Sequence, residues 1–326
     1  MKKIMIWTLL CVLLLSGCGQ TVDPATEEDG KLQIVATVFP AYDFARAVAG
    51  DHAEVRLLLP PGAESHSYEP TPTDILAVQE CDLFIYLGGE SDAWVDTIVN
   101  AVERKGETMR MVDQVDLLEE MTVEGMQTMP GHHHHEEEHE DDHHHDAGEV
   151  MEMDEHVWTA PANAAKITRA IGEKLSEMDP ENGAQYQSNA AHYVEEINEL
   201  DQEFEEFFQS LPDRTIVFGD RFPLRYFADA YHLDYYAAFP GCSTQTEPSA
   251  ATIAFLTEKV REERIPTVFY IEFSNHLVAD SIAEATGTQT AMFHTCHNIS
   301  PDDLANGETY VSLMQRNLDT LREALK

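Results

Sequence analysis

Positive charge is what this chain has least of. Lysine and arginine supply 20 residues against 60 aspartates and glutamates, which leaves a formal charge of −40. A surface of that sign repels phosphate backbones, so nucleic acid is excluded as a partner, and small cations are drawn toward it. After the first fifteen residues there is no apolar run long enough to cross a bilayer. No GxSxG nucleophile elbow occurs, and no GxxxxGKS or GxxxxGKT phosphate loop, which removes two common catalytic arrangements. Cysteine is scarce, at five residues in all. The two halves of the chain also share no residue-level repeat.

The amino terminus sets the compartment. Lys2 and Lys3 precede an apolar run from Ile4 to Leu15, too short for a membrane span and built like a secretory signal. Leu15-Ser16-Gly17-Cys18 resembles the lipobox of bacterial lipoproteins. The expectation is a leader over residues 1–17, lipid on Cys18 and a polar tether over 18–30, with the rest of the chain extracytoplasmic and anchored to the cell membrane. Cys11 leaves with the leader. Of the remaining three, Cys81 lies between a helical and a strand pattern and reads as a buried small hydrophobe. Cys242 and Cys296 are left as a candidate disulfide, or as two reduced buried thiols.

From Leu32 onward short apolar runs alternate with amphipathic stretches, the mark of an α/β fold. Strands are expected at Leu32–Val38, Glu54–Leu59, Leu83–Leu87 and Thr108–Val112, with helices near Ala41–Ala49, Thr73–Gln79 and Asp92–Arg104. Pro161 to Met178 reads as a helix, and Pro180 opens a longer one. There Tyr193, Ile197, Leu200, Phe204, Phe207 and Leu211 recur at steps of four and three, which predicts a single apolar face. A second series has strands at Thr215–Phe218, Leu233–Ala238, Thr267–Ile271 and Thr290–Phe293. Its helices fall near Leu224–Tyr231, Ser249–Arg264, His276–Thr286 and Tyr310–Leu325. The predicted architecture is two β/α lobes, residues 31–178 and 213–326, joined by a rigid helix within 179–212.

Inside the first lobe lies GHHHHEEEHEDDHHHD, residues 131–146. His132, His133, His134, His135, His139, His143, His144 and His145 are eight of the chain's sixteen histidines. Imidazoles at that density, set among carboxylates, collect transition metals such as zinc, copper and nickel. His135 to His139 also satisfies HExxH, a zinc-protease signature, but its surroundings are wholly polar and offer no apolar face to bury a catalytic helix. The chain is therefore expected not to be an enzyme.

Open α/β sheets bind ligands beyond the carboxyl ends of their strands. His66, Asp220, Glu272 and His297 all follow expected strands, and His156 lies between the histidine tract and the next helix. Their convergence on one edge of two facing lobes points to a metal site in the cleft.

PPGAESHSYEPTPTD, DEHVWTAPANA, FPGCSTQTEPSAATIAFL and FHTCHNIS resemble the zinc-binding substrate-binding lipoproteins of bacterial ABC importers, a cluster that also holds manganese binders. The resemblance runs from about Lys31 to Lys326. It implies two β/α lobes on a backbone helix, metal in the cleft, and an importer permease with its ATPase as partners of a monomeric receptor. It carries metal ligands onto His66 and His156. Where zinc-type relatives place a third histidine, this chain reads FGDRFPLRYF, so the position falls to Asp220; the fourth, normally aspartate, falls on His297. Glu272 and His294 stand in reserve. Relatives with a cysteine pair imply the Cys242–Cys296 bond. Three imidazoles and one carboxylate suit Zn2+ better than Mn2+, which takes more oxygen donors. The alternatives within the same resemblance are a manganese- or iron-binding receptor and a metal-dependent adhesin.

Overall fold

β-branched and aromatic runs fold as two sheets of four strands in the computed structural model of the chain. Described are residues 30–63, 68–89, 92, 94–95, 98–99, 106–126, 153–241, 243 and 247–325. The first sheet holds β1 (Leu32–Ala36), β2 (Ala53–Leu57), β3 (Leu83–Tyr86) and β4 (Glu107–Arg110), in spatial order β2-β1-β3-β4. The second holds β5 (Thr215–Phe222), β6 (Asp234–Pro240), β7 (Thr267–Ile271) and β8 (Gln289–Phe293), in order β6-β5-β7-β8. Every pairing in both sheets is parallel. Parallel strands need crossover helices on their faces, and this explains why β3 is buried along its whole length.

The helices that lie wholly within the described residues are α1 (Phe39–Ala49), α2 (Pro72–Glu80), α3 (Pro161–Met178), α4 (Gly183–Ser210), α5 (Arg225–Tyr231), α6 (Ala250–Glu262), α7 (Leu277–Thr286), α8 (Pro301–Ala305) and α9 (Tyr310–Ala324). Their starts are written in the sequence. Thr71 and Asp74 form a capping box at α2 with Pro72 in its first turn, and Ser249 caps α6 by accepting the Thr252 amide. Most of the expected helix Asp92–Arg104 lies outside the described residues. Among the described residues, no helix is long and apolar enough to cross a membrane.

α4 is the long element, 28 residues and so about 42 Å at 1.5 Å per residue. It buries Tyr186, Ala190, Tyr193, Val194, Ile197, Leu200, Phe204 and Phe208. The stripe leaves the expected path at its end: Phe208 is buried, whereas Phe207 is only partly so. A pattern of four and three averages 3.5 residues, and the helix advances at 3.6, so a late step of four keeps the face on the core. One apolar cluster runs from Ile34, Phe39 and Phe44 at the first sheet through Trp158, Ile197 and Phe204 to Phe218, Phe293 and Tyr310 at the second. Separate clusters cover the far faces, around Val35, Phe84 and Val95 on one sheet and Val217, Leu256 and Val268 on the other. The sheets therefore share a core.

Candidate metal centre

His156 opens a short 3-10 turn, Val157–Thr159. Side-chain hydrogen bonds hold it. The Thr159 hydroxyl donates to the His156 carbonyl at 2.8 Å, Trp158 Nε1 donates to the Thr295 carbonyl at 2.9 Å, and the Tyr310 hydroxyl donates to the Trp158 carbonyl at 2.9 Å. Trp158 is wholly buried. The turn thus ties the end of the first half to the last strand of the second.

Asp154 orients the imidazole. Its Oδ1 accepts the His156 amide at 2.8 Å and lies 3.2 Å from Nδ1. A carboxylate on Nδ1 selects the tautomer whose Nε2 lone pair is available to a metal. Burial works against the imidazolium, yet the charge and hydrogen bond of Asp154, with the charges of Glu155 and Glu120, outweigh it and hold His156 above its ordinary value. Asp154 is itself anchored, its carbonyl accepting from the Tyr226 hydroxyl at 2.8 Å and its amide donating to the Leu118 carbonyl at 2.9 Å. Glu155 presses on the loop after β3, where a Cβ on Gly89 would stand 2.0 Å from Glu155 Oε2. Only glycine fits there.

His297 reaches the same place from β8. The chain turns through Cys296 at φ +61°, a left-handed conformation that costs a non-glycine residue about 1–2 kcal/mol. Side chains hold the turn. His294 Nδ1 accepts the Cys296 amide at 3.0 Å, and Asn317 brackets His294, accepting its amide and donating to its carbonyl, both at 2.7 Å. The Thr295 amide and hydroxyl donate to the Glu272 carboxylate at 2.7 and 2.6 Å.

The rings of His156 and His297 meet with centroids 5.6 Å apart and planes at 79°. Two imidazoles on one tetrahedral zinc, each with Zn–N of about 2.0–2.1 Å, would have centroids about 5 Å apart. Trp158 walls the pair, its ring 5.5 Å from His156 and 5.0 Å from His297. His156 and His297 line a cavity of about 30 Å³ together with Arg221, Glu272, Phe273 and Asn298, which is room for one water-sized species. Arg221 works against a cation here; its guanidinium donates to the Ser243 carbonyl at 3.3 Å.

The other expected residues divide. His66, the eight tract histidines, Cys18 and Cys242 lie outside the described residues. Asp220 is turned to strand-end amides, accepting from Arg221 N–H at 2.8 Å and from Ile271 N–H at 3.5 Å, and it is not among the cavity's lining residues. Glu272 does line it. His294 spends Nδ1 on the Cys296 amide and does not line it. Among the described residues no three His, Cys, Asp or Glu side chains gather into a group that could hold a metal. Cys296 is a free, wholly buried thiol with Sγ 3.9 Å from the His294 carbonyl, and burial pushes it well above the ordinary thiol value. The expected bond to Cys242 is not made from this end. Sequence reasoning passed over Asp154, Trp158 and Thr295. Only Asp154 left a signal, a carboxylate two residues before a histidine.

The model of the family described as zinc-uptake complex component A, periplasmic, matches residues 34–324. Zinc-binding lipoprotein AdcA of Streptococcus pneumoniae (strain ATCC BAA-255 / R6) is 32% identical over 324 residues, covering 99% of this chain and 61% of that protein. High-affinity zinc uptake system protein ZnuA of Bacillus subtilis (strain 168) is 30% identical over 317 residues, covering 97% of this chain and 95% of that one. The crystal structure of the Zn(II)-bound ZnuA-like domain of S. pneumoniae AdcA superposes with a TM-score of 0.72 at 30% identity, covering 91% of this chain and 99% of that one. The chain therefore spans less than two thirds of the pneumococcal protein and nearly all of the B. subtilis one.

Proposed function

The chain belongs to the zinc-uptake complex component A family, and from that premise we propose that it is the substrate-binding receptor of an ABC importer, capturing Zn2+ outside the cytoplasm and delivering it to a membrane permease. Energy for transport comes from a separate ATPase. Lipid on Cys18 holds the receptor at the membrane, and it acts as a monomer. The observation that carries the reading is the approach of the His156 and His297 rings to 5.6 Å, with a carboxylate behind His156. His66 supplies the third imidazole from the loop after β2. Glu272, which lines the cavity, supplies the carboxylate in place of Asp220; because His156, His297 and Glu272 do not gather into a metal-holding group in this structure, the ion must draw that carboxylate toward the imidazoles, and while accepting two hydrogen bonds it retains lone pairs for a cation.

Four protein donors fill a tetrahedral shell and leave no position at which water is activated, so the site binds without catalysing. Imidazole donors favour zinc over manganese. Calorimetric titration of protein lacking residues 131–146 tests this, with manganese as competitor. One tight zinc site per chain, little disturbed by manganese, is expected. Tighter binding of manganese, or no tight site once the tract is gone, contradicts it.

A further inference from the structure

Building on the zinc-capture reading, we propose that Asn298 is a positioning residue, whose side-chain amide clasps the Pro60–Ala63 turn after β2 onto the turn that carries His297. Asn298 is 2% exposed. Its Nδ2 donates to the Pro60 and Ala63 carbonyls, both at 2.8 Å, while its Oδ1 accepts the Ile299 amide at 2.8 Å. Only this orientation of the amide satisfies all three contacts; the reverse would set its oxygen against two carbonyls. The assignment is thus fixed by the surroundings.

Pro60 and Ala63 are the two ends of one tight turn, closed by the Ala63 amide donating to the Pro60 carbonyl at 3.0 Å. One NH2 group therefore grips both ends, so the turn cannot open without losing a bond to Asn298. Two backbone bonds run beside it: Gly62 N–H to the Ile299 carbonyl at 2.8 Å, and Phe39 N–H to the His297 carbonyl at 3.2 Å. The joined segments are 235 and 238 positions apart in sequence. Ala63 and Asn298 line the same cavity as His156 and His297, and His66 follows Ala63 by three residues.

Capture chemistry makes no use of a carboxamide at this position. Burying one is unfavourable unless its hydrogen bonds are made, and here they span the cleft. The consequence is preorganisation. A clasped turn holds His297, the residue before Asn298, in place without its first being ordered by the metal, which lowers the entropic cost of binding. Removing a group that orients a metal ligand typically weakens binding roughly 10–100-fold.

Asn298→Asp is the informative variant. It keeps the shape and the acceptor for Ile299, but at neutral pH it cannot donate to Pro60 or Ala63. Zinc affinity is expected to fall roughly 10–100-fold, the visible spectrum of the cobalt-substituted protein to change, and amide exchange at Gly62 and Ala63 to accelerate. Unchanged affinity, spectrum and exchange would overturn the clasp while leaving zinc capture intact. A wild-type protein with no tight zinc site would instead defeat the capture reading itself. Should the aspartate variant not fold, Asn298→Ser, which retains one donor, is read the same way: an intermediate loss supports the clasp, and wild-type behaviour in all three measurements rejects it.

Discussion

The two sheets share one strand order and differ in how they present chemistry. At the first, the order β2-β1-β3-β4 carries the site on loops, with His156 in a turn held by Asp154 and His66 expected on the segment after β2. At the second, the order β6-β5-β7-β8 carries it on strand ends whose polar groups are already engaged with one another. Asp220 accepts backbone amides, Glu272 accepts from Thr295, and His294 accepts from Cys296. A duplicated topology has thus been given two kinds of support, an oriented imidazole on one side and a hydrogen-bonded turn on the other. The fold sets where strand ends converge, and the side chains behind them decide which donors face the cavity.

The contrast is tested most severely by removing one imidazole from each half. Structural zinc sites gain about 10–16 kcal/mol from four ligands, so about 3 kcal/mol each, or about a hundredfold in affinity. His156→Ala and His297→Ala should each weaken zinc binding by about that factor in a competition assay. An effect confined to one of them would mean that a single half holds the ion.

Removing the support without the ligand is the next step down. Asp154→Asn should cost roughly 10–100-fold in zinc affinity, with the fold preserved. It should also move the pH dependence. Protons and zinc compete for neutral imidazole, and Asp154 raises the His156 value, so affinity should begin to fall at a pH above the ordinary value of about 6.5. With asparagine in its place the onset shifts to lower pH. Equal profiles for the two proteins, measured by titration between pH 8 and 5, would remove Asp154 from this role.

The carboxylates of the second half separate by smaller effects. Glu272→Gln keeps an oxygen donor and loses only the charge, so it should weaken zinc binding by about tenfold, less than the loss of a whole ligand. Asp220→Asn should leave affinity within about twofold and act on stability, because its partners are the Arg221 and Ile271 amides. The reverse order would restore the exchange of aspartate and imidazole that the sequence suggested. Smallest is the structural part of the first motif. Thr71→Ala removes a helix cap, at a cost of about 1 kcal/mol, and should lower the melting temperature by about 2–4 °C while zinc affinity stays unchanged.

Strand and helix patterning was legible because hydrophobic period is a local signal. Thr267–Ile271 and Pro161–Met178 have the expected limits, and most other elements start or stop within a residue or two of them. Two departures have local causes. β5 runs on to Phe222, past a register shift between Phe218 and Arg221, which places Asp220 inside the strand rather than after it. α8 was announced by Ser300-Pro301-Asp302-Asp303, a capping serine, a first-turn proline and two acids, but five residues are too few to show a period. The candidate site was legible in His156 and His297, whose residue type carries the chemistry. Asn298, Trp158 and Thr295 were not, since their partners lie more than a hundred positions away or, for Thr295, across a strand pair. No spacing rule reports such contacts.

X-ray absorption at the zinc edge, on protein lacking residues 131–146 and loaded with one zinc per chain, measures the donor set directly. Three nitrogen scatterers with the outer-shell pattern of imidazole and one oxygen, near the usual distance of about 2.0–2.1 Å, are predicted. An oxygen-dominated shell of six ligands without imidazole signals would contradict the account at its centre.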